Sequence, residues 1–181
     1  MPDLTSYPNQ LDSRKMECRA IIETPKNRRN KFDYDPESGL FELGGVLPEG
    51  MMFPYDFGFI PSTLGEDGDP LDVLVLMDEP AHVGCLLQVR IIGVIEAQQT
   101  EGGKTETNDR LLAVSVHSHN HENIGSLKQL RPSLLKQLEK FFVSYNKLHG
   151  KKFKVTNVGG PKRALTVMRQ GNKAFEEKKA S

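Results

Sequence analysis

The sequence predicts an α+β fold, a strongly curved sheet or barrel covered by helix. Two observations carry this. The first two thirds of the chain read as short strands separated by turns, and the last third reads as helix. Strands and helices segregated along a chain indicate α+β rather than an alternating α/β arrangement. A length of 181 residues suits one domain with a sizeable core. The expected organisation is a single domain over 1–181, with an unanchored arm at 1–15 and a fraying tail at 176–181.

Met16–Thr24 reads as the first strand, Pro25–Asn30 as a charged turn, and Lys31–Tyr34 as the returning strand. A turn at Pro36–Gly39 precedes the apolar pattern Leu40, Phe41, Leu43. From Met51 to Ile60, Phe53, Tyr55, Phe57 and Phe59 recur at period two, which places them on one face of an extended segment. Leu71–Met77 is rich in Leu and Val and reads as a buried strand. Val83–Ala97 is long and apolar, with Gly93 set to bend it, and Arg110–Val116 is the last clear strand. Pro132 suits a first helical position, and Leu134, Leu135, Leu138, Phe141, Phe142, Tyr145 and Leu148 follow as an apolar stripe that Gly150 ends. Pro161–Glu177 repeats the pattern more weakly.

Composition removes several function classes. Lys plus Arg and Asp plus Glu number 24 each, so no global field attracts nucleic acid or acidic lipid. No apolar run is long enough to cross a bilayer, and Met1–Gln10 lacks a signal-peptide core. Cys18 and Cys85 have neither disulfide-framework nor metal-ligand spacing, so a reducing cytoplasmic setting is expected.

Chemistry concentrates in two turns. Glu66-Asp67-Gly68-Asp69-Pro70-Leu71-Asp72 carries four carboxylates in seven residues. Such crowding is unfavourable unless the groups are solvated, protonated or neutralised. Asp72 should point opposite to Leu71 and Val73, toward the turn, where hard oxygen ligands suit Mg²⁺, Mn²⁺ or Ca²⁺. An ordinary solvated acidic turn is the plain alternative. An EF-hand is excluded, because Leu71 and Asp72 occupy its ligand and glycine positions. Lys26, Arg28, Arg29 and Lys31 lie within six residues. They read as a solvated hairpin end or as a phosphate clamp.

At these residues the chain resembles the family I soluble inorganic pyrophosphatases. The resemblance rests on Glu66 to Val75, Ile22-Glu23-Thr24-Pro25, Asn30 to Asp35, Gly58 to Pro61, Pro80 to Val94, and Phe141-Phe142 to Tyr145 before Gly150, and it covers about Met16 to Phe153. It implies a five-stranded OB-like β-barrel with flanking C-terminal helices. It further implies Mg²⁺-dependent hydrolysis of pyrophosphate to two phosphates, with Mn²⁺ as a substitute ion, in a homo-oligomer. Carried over residue by residue, Asp67 and Asp72 would be metal ligands, with Glu23 beside an outer metal. Asp69 would be the catalytic group that deprotonates the attacking water. Lys31, Arg110 and Tyr145 would bind substrate phosphate, with Arg110 replacing a family lysine.

The departures are specific. Gly45 stands where the family has arginine, Phe53 and Phe57 where it has tyrosines, Asp33 for glutamate, and Asn146 for lysine. Gln99 and Asn108 stand where two aspartates are expected, with about four residues inserted between them. Asp109, Glu101 and Glu106 are the carboxylates an inserted loop could return. Each lost charge-assisted contact is worth about 1.5–3 kcal/mol, so a slow pyrophosphatase is expected. A hydrolase of another phosphoanhydride, such as a nucleotide, and a non-catalytic binding or assembly protein on the same scaffold are the alternatives. His117, His119 and His121 alternate as a strand-borne Zn²⁺ or Ni²⁺ site would, although a polar loop after the Arg110–Val116 strand is the plainer reading.

Overall fold

The computed structural model describes residues 3–180, so Met1, Pro2 and Ser181 of the expected arm and tail lie outside the described residues. Nine strands and two long helices follow in the order β1 (Glu17–Thr24), β2 (Asn30–Asp35), β3 (Leu40–Val46), β4 (Asp56–Ile60), β5 (Leu71–Leu76), β6 (Leu86–Glu101), β7 (Lys104–Thr107), β8 (Arg110–Ser115), α1 (Pro132–Leu148), β9 (Lys152–Gly159) and α2 (Pro161–Ala180). The order β1-β4-β5-β8-β6 closes into a ring through β1–β6 pairing. Only β5 and β8 run parallel within it. Closure removes the exposed edges of an open sheet. This ring is the expected five-stranded OB-like barrel, and α1 and α2 are its flanking helices.

Alternation along the strands divides the core. Ala20, Ile22, Ile60, Val73, Val75, Val89, Ile91, Leu111 and Ala113, drawn from all five ring strands, form one buried cluster with Ala164, Val167 and Met168 of α2. The opposite faces, through Phe57, Leu74, Leu76, Ile92, Ile95, Leu112 and Val114, pack against Leu138 and Phe142 of α1 and Phe153 of β9.

β6 is the longest strand, with 16 residues. It pairs with β1 and β8 in the ring and with β7 and β9 beyond it. Its register with β8 shifts between Ile91 and Gly93, where the bend was expected. The inserted loop is not irregular. Residues 98–107 fold back as the β6–β7 hairpin, with Gly102 and Gly103 both at positive φ. Two consecutive positive-φ residues make a tight hairpin turn that matches strand twist.

The arm differs from expectation. Thr5 O accepts from Ser62 N at 2.6 Å, Asn9 Nδ2 donates to Pro61 O at 2.9 Å, and Leu4 N donates to the Tyr34 hydroxyl at 3.0 Å. These bonds tie residues 4–9 to the turn after β4 and to β2. At the other end, residues 176–180 continue α2. Among the described residues no helix is long and apolar enough to cross a membrane.

Candidate active site

The acidic turn is built by its own backbone. Gly65 N donates to Asp69 O at 2.7 Å, and Gly68 N donates to Gly65 O at 3.2 Å. Gly68 sits at φ +91°, a conformation that L side chains rarely adopt. Asp67 Oδ1 accepts from Asp69 N at 3.2 Å, the local bond that suits Asp to turns. Thr63 then fixes the start of β5, because its hydroxyl donates to Ile60 O at 2.6 Å and accepts from Leu71 N at 2.9 Å. Strand alternation buries Leu71 and Val73 and turns Asp72 to the opposite side, as expected.

That side opens on a cleft of about 580 Å³. Glu23, Lys31, Asp67, Asp69, Asp72, Arg110 and Tyr145 all line it, so the seven residues singled out in the sequence meet in one place. Phe53, Phe57 and Phe59 form part of its wall.

Burial sets the electrostatics. Glu23 accepts from Tyr34 N at 2.8 Å, yet burial pushes its carboxyl up to about 7. Burial likewise raises Asp67 to about 6, outweighing the Asp69 N–H that stabilises its anion. Burial also raises Asp72, opposed by the Arg110 and Lys31 charges. Burial lowers Lys31, which is ion-paired with Asp33. Burial raises Tyr145 to about 12, so its phenol stays a donor at neutral pH. These are carboxylates removed from water without enough positive charge around them.

Arg110 is the most enclosed cation of the site, with 5% exposure. It is ion-paired with Asp72 and hydrogen-bonded to Asn108 Oδ1. Its guanidinium carbon lies 5.9, 5.3 and 5.7 Å from the ring centres of Phe57, Phe142 and Phe153. Tyr145 is held by stacking on Phe141 and by an edge contact with Phe53, with ring centres 6.0 and 5.7 Å apart.

The basic turn does not act as a unit. Only Lys31 of the four reaches the cleft. Arg29 pairs with Glu49 at 2.5 Å, Lys26 lies over the Tyr55 ring at 5.7 Å, and Arg28 lines a separate groove. Glu66 also turns away, accepting from Thr107 N at 3.0 Å. Of the loop carboxylates, Glu101 and Glu106 line the cleft, where Glu101 pairs with Lys151 at 3.1 Å and Glu106 pairs with Lys104. Asp109 instead accepts from Ala97 N at 3.1 Å. The histidines occupy turns, not a strand. Asp78 organises them by accepting from the Ser118 hydroxyl at 2.6 Å and from His119 N at 2.8 Å.

Residues missed in the sequence include His149 and Lys151 on the cleft rim. The Gly102-Gly103 pair was the readable signal for the hairpin that carries Glu101 and Glu106.

The family model for inorganic pyrophosphatase matches residues 20–176. The chain belongs to the inorganic pyrophosphatase family. Among related members of this family, the inorganic pyrophosphatase of Methanosarcina acetivorans is 35% identical over 158 residues, 87% of this chain and 92% of that protein. The inorganic pyrophosphatase of Halalkalibacterium halodurans is 38% identical over 136 residues, 75% of this chain and 81% of its own. The crystal structure of inorganic pyrophosphatase from Thermus thermophilus superposes with a TM-score of 0.88 at 32% identity, covering 96% of this chain and 99% of that one. The pyrophosphatase fold thus covers 96% of the chain, and Gln99, Asn108 and Phe57 lie inside its cleft.

Proposed function

We propose that the chain hydrolyses inorganic pyrophosphate to two phosphates in this cleft, with Mg²⁺ as the activating ion and Mn²⁺ as a substitute. Hydrolysis of pyrophosphate is the reaction for which the family is named. The observation that carries the proposal is the meeting of Glu23, Asp67, Asp69 and Asp72 with Lys31, Arg110 and Tyr145.

The donor set fits a hard divalent ion. The carboxylates are under-neutralised, and Glu23 and Asp67 are pushed up to about 7 and about 6. Among the described residues no three candidate ligands are arranged around one point. Mg²⁺ does not need that, since it keeps several waters and is held by one or two carboxylates plus substrate phosphates. Asp67 and Asp72 would hold the ion, with Glu23 beside an outer position. A bound ion would activate water and neutralise phosphate charge.

The side chains supply the rest. The Asp69 carboxylate is the acceptor for the proton of the attacking water. Lys31, Arg110 and the Tyr145 hydroxyl orient phosphate oxygens and stabilise charge developing on them. The protein works in the cytoplasm as a homo-oligomer, a reading supported by family membership and by Leu40, Leu43 and Val46 exposed along β3.

Phosphate release from pyrophosphate with Mg²⁺ or Mn²⁺, beside an Asp72→Ala control, tests the proposal. Turnover no greater than that control would sink it. A second reading, hydrolysis of a nucleotide-type phosphoanhydride, is favoured by the cleft volume of about 580 Å³, more room than pyrophosphate alone fills. A substrate panel separates the two.

A further inference from the structure

We propose that the Arg110 guanidinium serves as a fixed cation on Asp72 in place of a second divalent ion, so that the substrate-free protein binds one activating metal. This rests on the metal-dependent reading above.

The direction of every hydrogen bond around Arg110 is forced. A guanidinium can only donate, so Asn108 must present its oxygen to Arg110 Nη1. Its amide nitrogen then donates to Gln99 Oε1 at 3.0 Å. The result is a connected row of Asp72, Arg110, Asn108 and Gln99. A carboxylate at 108 could accept from Arg110 but could not donate to Gln99. An amide at 108, set between the donating Arg110 and the accepting Gln99, is therefore the chemical complement of arginine at 110. The three residues make one device rather than three separate losses.

Arg110 is also enclosed, with 5% exposure. It sits against the Phe57, Phe142 and Phe153 rings, and its Nε is buried without a partner. A buried cation is costly unless paired, and Asp72 is its only anionic partner among the described residues. The ion pair uses Asp72 Oδ2 and leaves Oδ1 for a metal. A divalent ion at Oδ2 would stand against a positive charge that does not deprotonate. Asp67 and Asp69 form no salt bridge with any described residue, so the remaining anionic charge gathers at the turn end of the cleft.

Mn²⁺ titration of the full chain without pyrophosphate, followed by electron paramagnetic resonance, tests this. The expected result is one bound Mn²⁺ per chain and no spin-coupled pair. Arg110→Gln, which removes charge but keeps length and polarity, should bind a second Mn²⁺ at least tenfold more tightly than wild type. The triple variant Gln99→Asp, Asn108→Asp, Arg110→Lys should bind two and show the coupled spectrum. Circular dichroism checks folding, and Arg110→Gln carries the test if the triple variant unfolds. Two coupled Mn²⁺ ions in wild type, or no gain in Arg110→Gln, would overturn the inference. No Mn²⁺ bound to wild type would overturn it together with the metal reading.

Discussion

Leu64 donates its backbone N–H to the carbonyl of Gly171 at 3.0 Å, which ties the acidic loop to the C-terminal helix. A Cβ at Gly171 would lie 2.7 Å from Leu71 Cδ1 and 3.3 Å from Thr63 Cβ, both of which anchor the base of the acidic turn. Gly171→Ala should therefore destabilise the protein by about 1–3 kcal/mol through overpacking. It should also slow turnover, although residue 171 lies outside the cleft. Thermal unfolding and steady-state kinetics measure both, and wild-type values of each would refute the coupling.

Tyr145 separates packing from chemistry. Its ring is fixed by Phe141 and Phe53, while the charges of Arg110, Asp72 and Glu23 act on its hydroxyl. Tyr145→Phe should keep the melting temperature and lower kcat/KM about tenfold, the loss expected for a hydrogen bond to a charged group. Tyr145→Ala should lower both. Equal kcat/KM in wild type and Tyr145→Phe would remove the hydroxyl from the reaction.

The two cysteines should differ in reactivity. Burial pushes the Cys18 thiol up to about 12, so almost none is thiolate at pH 8. Cys85 is partly exposed. Alkylation of the folded protein at pH 8 should add one group, at Cys85, and denaturation should add the second. Intact-mass spectrometry reads the count, and labelling of Cys18 in the native state would contradict its burial.

Asp78 predicts an acid-limb effect. Hydrogen bonds from the Ser118 hydroxyl, His119 N and Asn120 N hold its carboxyl down at about 2, against an ordinary 3.8. A depressed folded-state value stabilises above the unfolded value, and that stability is lost as pH falls toward the folded one. Asp78→Asn should therefore flatten the fall in melting temperature between about pH 4 and pH 2. An unchanged acid limb would show that the histidine turn contributes nothing there.

Legibility followed the physical signal. The apolar runs of β5, β6 and β8 and the stripe of α1 announced themselves through periodicity, and the acidic turn through its glycine and proline. β7 was hidden because Lys104–Thr107 is wholly polar and defined by its turn. β9 alternates Phe153 and Val155 with lysines and polar residues, so its half-buried pattern was faint beside the Gly150 stop. The basic turn misled because sequence proximity says nothing about side-chain direction, and only Lys31 points inward. The Phe57, Phe142 and Phe153 box could not be read at all, since its members come from β4, α1 and β9.

The sharing of β6 has a consequence for cooperativity. One continuous strand serves the ring, the hairpin that carries Glu101 and Glu106, and the β9 layer under α1. Opening the ring or the β9 layer would strip hydrogen bonds from the same backbone, so neither can melt as a small independent unit. Amide exchange along β6 should accordingly follow global unfolding from the ring to β9, leaving the cleft's mobility to its loops.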